Sequence, residues 1–282
     1  MSETSAPIRI ERSDKIAWVT LDAPPMNLLG ANLMGALFGL VDAMEKDEDS
    51  RVMVLRSADP DFWVAHGDVE SITQVPTDPA PEAVELPMTH LLMERLRKLP
   101  QVTIAQIEGY ARGGGSELAL ACDMRFATLD KAVFGQPEIA LGILPGAGGT
   151  ARLTRLLGRA RASEIILGGD DFSAAEAERY GWINRALPAD EVGPFVERLA
   201  RRIATFPRTA LIAAKQTVQT ISDRDMEADL LLEQRAFDAL MSDPTSERVP
   251  RMERFLAKGI QTREGETGLA NACERLGDRD PA

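Results

Sequence analysis

The chain has 282 residues, 44% of them hydrophobic and 27% charged, and its 44 acidic against 32 basic side chains leave a formal net charge of −12. This is a soluble, globular composition, long enough for one large domain, or one domain with a smaller appendage, around a substantial core. The acidity argues against nucleic acid and anionic membrane surfaces as partners, since both need basic patches, but leaves room for an anionic ligand held by a few local cations and backbone N–H groups.

Cys122 and Cys273 stand far apart without metal-ligand spacing, so a reducing compartment and no bound metal are expected. The opening MSETSAPIRIER has no basic stretch followed by an apolar run, and no segment approaches the length of a membrane span. A cytoplasmic protein is therefore expected.

Ile8 to Ile10 and Ile16 to Leu21 read as two strands joined by the turn Ser13-Asp14-Lys15. Ala23-Pro24-Pro25-Met26-Asn27 breaks the pattern; Leu33, Leu37, Leu40, Val41 and Met44 then recur at helical spacing through Lys46, and Val52 to Leu55 forms a strand. Strand, strand, helix, strand is the order of a ββα unit, and it returns around Val102 to Ala121. Between them, Ser71 to Pro87 carries four prolines and several acids and reads as a mobile surface segment. Helical spacing resumes at Leu91, Leu92, Arg95 and Leu96, with His90 expected at the surface at the helix end.

The chemistry concentrates between Ile107 and Arg152. Gly113-Gly114-Gly115 follows the apolar run Val102 to Ile107 and lets backbone approach a ligand with no Cβ in the way. Ser116 to Ala121 reads as a helix start, whose unpaired N–H groups and positive dipole end suit an oxygen gaining negative charge; Gly114 N–H is a candidate oxyanion donor. Glu117 falls in the first turn of that helix, either turned back toward the same opening or serving only as a helix-start acid. Ala132 to Glu138 reads as a short apolar strand running into a turn fixed by Pro137, and a carboxylate on such a rigid turn is not a solubilising charge. Two carboxylates facing one cavity, backed by backbone donors, are the parts of general acid–base chemistry.

Beyond Arg152, helices are expected at Leu153 to Leu157, Ala160 to Leu167 and Ala174 to Tyr180, the last capped by Ser173, with a short strand within Gly181 to Pro188. From Ala189 the pattern is nearly all helical, broken near Pro207, Pro244 and Pro250.

The segments GGGSELALACD and FGQPEIALGILPGAGGTARL together resemble the signature of the enoyl-CoA hydratase/isomerase family, the crotonase superfamily, and the likeness extends at lower strength over nearly the whole chain. The resemblance implies an α/β fold: a crotonase-like spiral of ββα units over residues 1–205, then a C-terminal helical region, residues 206–282, for trimerisation and pocket closure. By the same match Gly114 supplies one oxyanion N–H, and Glu117 and Glu138 are the two hydratase glutamates. The segment from Phe62 to Asp68 resembles the one whose residue before the aspartate gives the other oxyanion N–H, here Gly67. Ala65 and His66 are then substrate-binding, with Asp68, Val69 and Glu70 against the CoA thioester arm. Arg254 to Gly259 resembles the segment that approaches the nucleotide end of CoA, which implicates Phe255 and Lys258.

Two departures from the family pattern stand out. The interval between the glutamates is one residue longer, with the slack in the turn Leu129-Asp130-Lys131, expected to lie away from the cavity. His66 stands where glycine is usual; its ring either points away to pack or meet solvent, or sits beside the oxyanion donors where it could donate or titrate near neutral pH.

The activity implied is hydration of a trans-2-enoyl-CoA to a 3-hydroxyacyl-CoA, with coenzyme A part of the substrate and no separate cofactor. A homotrimer or dimer of trimers is implied, its C-terminal helices packing on neighbouring subunits in preference to capping their own core. The alternatives are another acyl-CoA reaction on the same fold (isomerisation, retro-aldol cleavage, hydrolysis or decarboxylation) and a non-catalytic binding protein, which the acid pair argues against. Serine and cysteine nucleophiles lack a histidine partner by spacing, only His66 and His90 being present, and neither glycine cluster ends as a phosphate-binding P-loop does.

Overall fold

The computed structural model describes residues 6–75, 85–222, 225–243, 247–274 and 276. The chain opens with a hairpin of β1 (Ile8–Ser13) and β2 (Ile16–Leu21), closed by Asp14 and Lys15 at positive φ, and then α1 (Ala31–Glu45). From there it repeats one route three times. β3 (Val52–Ser57), β5 (Val102–Ile107) and β7 (Met124–Thr128) enter a first sheet; β4 (Phe62–Val64), β6 (Tyr110–Arg112) and β8 (Val133–Gly135) each follow within a few residues and enter a second. Helices α2 (Val69–Thr73) and α3 (Met88–Arg97) come after β4, α4 (Gly114–Leu120) after β6, and a 3-10 turn at Pro137–Leu141 with α5 (Gly149–Leu157) and α6 (Arg159–Gly168) after β8. β9 (Asp171–Ser173), α7 (Ala174–Tyr180) and β10 (Arg185–Leu187) complete the sheets in the orders β1-β2-β3-β5-β7-β10 and β4-β6-β8-β9. The remaining helices are α8 (Ala189–Ala204), α9 (Arg208–Ser222), α10 (Met226–Met241), α11 (Arg248–Ala257), α12 (Arg263–Glu266) and α13 (Leu269–Glu274). This is the expected spiral of ββα units.

The central strands of the first sheet are largely apolar and buried because both faces are covered. Val192, Val196, Ala200 and Ala204 of α8 lie on Ile16, Val52, Val54 and Ile104. The opposite face meets the main core, where α1 buries Leu33, Leu37, Leu40, Val41 and Met44, all five positions of the expected stripe. Full burial of such a side chain stabilises by roughly 1.5–3 kcal/mol. At the start of α7, Ser173 and Glu176 form a reciprocal capping box, so a sequence cue fixes the helix entry.

Parallel pairing positions the site. Phe62 of β4 lies opposite Tyr110 of β6, and Ala111 of β6 opposite Phe134 of β8. The C-terminal ends of these strands therefore deliver the turns at Gly67, Gly113 and Glu138 to one edge, the usual place for a ligand crevice in a parallel sheet.

The C-terminal helices return to that same edge. Met252 and Phe255 of α11, Ile260, and Leu269 and Cys273 of α13 pack against Val69, Leu141 and Ile143. These side chains of α11 and α13 are thus covered by their own chain. α9 differs: it has no buried residue, and Val218 and Ile221 are 66% and 70% exposed. Pro250 does not break a helix, because it occupies the first turn of α11, where the backbone N–H has no intrahelical acceptor to lose. Of the segment expected to be a mobile surface stretch, Ser71 to Thr73 belong to α2, while Pro76, Pro79 and Pro81 lie outside the described residues, as does Pro244. Among the described residues, no helix is long and apolar enough to cross a membrane.

Candidate active site

The first wall of the site is built from backbone. Gly67 follows β4 and Gly114 opens α4, and a Cβ on Gly114 would lie 3.3 Å from Gly67 N and 2.9 Å from Leu29 Cδ2. Only glycine allows the two stretches to touch in this way. Gly113, at φ 46°, turns the chain into α4 in a conformation that side-chain-bearing residues rarely adopt. Neither the Gly67 nor the Gly114 amide donates to another backbone group among the described residues. Leu29 is held between them by Leu29 N donating to His66 O at 2.9 Å and Asp68 N donating to Leu29 O at 3.3 Å. Behind it, buried Asn27 accepts from Ala23 N and donates to Ser57 Oγ, Phe62 O and Trp63 O, fixing the segment that presents Leu29.

The second wall is acidic. Glu117 Oε1 accepts from Ala147 N at 2.8 Å and Gly149 N at 2.7 Å, across at the start of α5, so this carboxylate is not a cap for its own helix. Glu138 borders the same cavity, and Gln136, in the orientation that satisfies both its amide atoms, donates to the two Glu138 oxygens at 3.2 and 3.1 Å. Glycine makes room for both acids: a Cβ on Gly149 would sit 2.9 Å from Glu117 Oε1, and one on Gly113 would sit 2.6 Å from Glu138 Oε1. The cavity measures about 420 Å³, with Glu117, Glu138, Gly67, Gly114, Leu144 and Phe237 in its wall.

Burial, and then the charge of Glu233, push Glu117 up to about 7, against the pull of the two amides. Glu138 is raised well above the ordinary carboxyl range by desolvation and then by the charge of Glu117. The charge of Glu117 thus makes ionisation of Glu138 harder than burial alone would.

Two buried histidines stand behind these walls, each paired with a glutamate from the C-terminal helices. His90 Nε2 lies 3.0 Å from Glu233 Oε1, and Glu233 also accepts from Gly148 N at 2.6 Å and Ala151 N at 2.8 Å. The start of α5 thus divides its amides between two carboxylates: Ala147 and Gly149 to Glu117, Gly148 and Ala151 to Glu233. His90 is fully buried, not at the surface as its position at a helix start suggested. The reason is α10, which covers it from far along the chain.

His66 is 4% exposed and lines the cavity. Its Nδ1 lies 2.7 Å from Gly67 O and its Nε2 2.9 Å from Glu266 Oε2. Burial lowers its pKa, but Glu266 outweighs that and the net direction is upward. The ring is shielded from solvent, Nδ1 meeting a backbone carbonyl and Nε2 facing Glu266 as an ion pair.

Of the other sequence-derived residues, Asp68, Val69 and Phe255 line the cavity. Asp68 caps α2 and accepts from Gln261 Nε2, while Val69 N donates to Gln261 Oε1 at 2.8 Å, which ties this turn to the C-terminal segment. Ala65, Glu70 and Lys258 are not in the cavity wall. Ala65 is buried behind it, its carbonyl accepting from Arg112 N; Glu70 is exposed on α2, and Lys258 is exposed just past α11. The turn Leu129-Asp130-Lys131 also lies outside the wall, as expected. Asn27, Arg112, Glu233 and Glu266 carry no local signature in the sequence, because the burial of a polar residue depends on what packs over it from elsewhere in the chain. Among the described residues, no group of three or more His, Cys, Asp or Glu side chains could hold a metal ion.

Backbone amides with no backbone acceptor among the described residues, beside two buried acids, are parts suited to acid–base chemistry. The pattern of the Enoyl-CoA hydratase/isomerase family matches residues 11–261. A "Probable enoyl-CoA hydratase" of Mycobacterium tuberculosis is 33% identical over 255 residues, 89% of this chain and 95% of the relative. The "Short-chain-enoyl-CoA hydratase" of Clostridium acetobutylicum is 30% identical over 250 residues, 88% of this chain and 94% of the relative. A crystal structure from Streptomyces avermitilis that carries an enoyl-CoA hydratase name superposes with a TM-score of 0.87 at 37% identity, covering 97% of this chain and 99% of the other. The chain belongs to the enoyl-CoA hydratase/isomerase family, and is an enzyme of the hydratase or related isomerase class.

Proposed function

We propose that this enzyme adds water to the double bond of a trans-2-enoyl-CoA, giving a 3-hydroxyacyl-CoA. The observation that carries this is the unequal treatment of the two cavity acids. Glu117 is held by two backbone N–H groups that favour its ionised form, and Glu138 has no such pair and lies against the charge of Glu117.

The thioester oxygen would accept from Gly67 N–H and Gly114 N–H as charge moves onto it. One such donor is worth about 2.7–4 kcal/mol of barrier when removed. Ionised Glu117 takes a proton from water as its oxygen bonds to the β-carbon, and protonated Glu138 delivers a proton to the α-carbon. The net change is one water added, with one proton exchanged between the acids, and it requires no metal or redox cofactor. The ring of His66, the feature that set hydration against other acyl-CoA chemistry, is engaged on both nitrogens by protein groups and adds no acid or base to the cavity.

The test is a panel of crotonyl-CoA and longer enoyl-CoAs read by mass spectrometry: hydration adds the mass of water, whereas isomerisation adds none. Near-wild-type turnover in both Glu117→Gln and Glu138→Gln would overturn the assignment. Assembly as a homotrimer or dimer of trimers is part of the same proposal, supported by the exposed apolar residues Val218, Ile221 and Leu232 on α9 and α10, and light scattering on the purified protein tests it. A cytoplasmic location is proposed with it, supported by the pair of free, buried cysteines.

A further inference from the structure

We infer that Glu266 is a positioning residue for both backbone amides of the site: one buried carboxylate from the C-terminal segment holds together the two strand ends from which Gly67 and Gly114 emerge. The catalytic consequence rests on the thioester assignment above; the geometry does not.

The carboxylate is divided between the two strands. Glu266 Oε2 lies 2.9 Å from Nε2 of His66, the residue immediately before Gly67. The Nδ1 of the same ring lies 2.7 Å from Gly67 O, so the imidazole joins Glu266 to the peptide just beyond the Gly67 amide. Glu266 Oε1 accepts from Nη1 of Arg112 at 2.7 Å, and Nη1 also donates to Glu266 O at 3.0 Å. Arg112 ends β6, two residues before Gly114, and its Nε and Nη2 both reach the Asp171 carboxylate of β9 at 2.6 Å. Arg112 N donates to Ala65 O at 3.1 Å, which links β6 directly to the end of β4.

Glu266 is itself rigidly presented. Its amide donates to Thr262 O at 2.8 Å, Gly265 N donates to Thr262 Oγ1 at 3.1 Å, and a Cβ on Gly265 would meet Gly259 O at 2.3 Å. The Phe255 ring stands edge-on to His66 at 6.0 Å between centroids. Arg112 and Glu266 are fully buried and His66 nearly so. Apolar side chains of similar volume would fill such a space at less cost in desolvation, so the cluster is poorly explained as a source of stability alone. What apolar packing would lack is direction: one group fixing, at the same time, the spacing of two amides on different strands.

The readout is the carbonyl stretch of a bound, non-reacting saturated acyl-CoA carrying a ¹³C-labelled thioester carbonyl, measured by isotope-edited infrared spectroscopy on the full-length enzyme. Wild type is expected to lower the stretch frequency on binding, and Glu266→Gln to lose most of that shift. His66→Gln, which keeps the Arg112–Glu266 contact and carries the test should Glu266→Gln fold poorly, is expected to lose part of it. With enoyl-CoA, Glu266→Gln should lower kcat by about ten- to a hundredfold, less than deletion of a donor, while KM stays within about threefold. A wild type with no frequency shift would overturn the thioester assignment itself. A wild-type shift retained whole in both folded variants would overturn only the role of Glu266.

Discussion

The two walls of the cavity are both braced by a histidine and a glutamate from the C-terminal helices, yet their charge balance differs. Behind the amides, His66 and Arg112 face Glu266 and Asp171, two potential cations against two carboxylates. Around the acids, the charges of Glu117 and Glu233 bear on Glu138, and His90 neighbours Glu117 and Glu233. Balance makes a scaffold and imbalance makes a proton store. Glu94, close behind the acid wall, shows the difference within one residue type: burial works against its charge, yet Arg97 and Arg152 hold it down to about 2, while Glu117, which no cation touches, rises to about 7. Buried Glu94 and Glu117 therefore shift oppositely according to whether an arginine lies beside the carboxylate.

The largest expected effects come from removing the acids. Glu117→Gln and Glu138→Gln should each lower kcat by about 10²–10⁴-fold, the usual contribution of a positioned acid or base, measured by steady-state hydration of crotonyl-CoA. Glu138→Gln should at the same time raise the melting temperature at neutral pH. Because the folded pKa of Glu138 is raised, its ionisation costs stability as pH climbs from its unfolded value through the folded one, and the amide removes that cost. The gain should vanish below about pH 4, where wild-type Glu138 is protonated in both states.

Attacking the other wall, Gly114→Ala should lower kcat by about 10²-fold by driving a Cβ against Leu29 and the Gly67 amide, with little change in KM. The same substitution should leave the acid limb of the pH–rate profile in place, which separates the jobs of the two walls.

The charge imbalance itself can be tuned. In wild type, kcat/KM should fall below about pH 7 as Glu117 takes up a proton. Glu233→Gln removes a negative charge beside Glu117 and should move that limb to lower pH, whereas His90→Gln removes the opposing influence and should move it higher. An identical limb in both variants would leave Glu233 and His90 as supports for the start of α5 only.

The smallest effect concerns the brace behind the amides. A folded pKa raised above the unfolded value makes the stabilising contribution of His66 complete below about pH 6.5 and lost as pH rises through the folded pKa. Hydrogen exchange of α11 and α12 should accordingly quicken at alkaline pH beyond the intrinsic chemical rate, and His66→Gln should abolish the pH dependence of that protection.

Much of this site was legible as one-dimensional pattern. Leu33 to Met44 marks a helix by period, Ser173 marks a helix entry as its cap, and the glycine triplet with Glu117 marks a reactive corner by residue type. The short strands β6, β8 and β9 carry weaker signals, since three residues show no period and their pairing is settled by partners elsewhere in the chain. His90 was misplaced for the same reason: exposure at a helix start depends on what lies above it, and α10, some 140 residues later, is invisible from the local sequence. Pro250 misled because a proline ends a helix only beyond its first turn.

The sequence by itself determined the ββα order, the two glutamates and the glycines that admit them, because backbone freedom, helix period and side-chain chemistry are local properties. The tertiary structure alone decided which carboxylates would hold protons and which would hold scaffolding. That depends on whether a buried oxygen finds a cation or another acid beside it, and for Glu117, Glu233 and Glu266 the neighbour (Glu233, His90 and His66) is brought from a distant part of the chain.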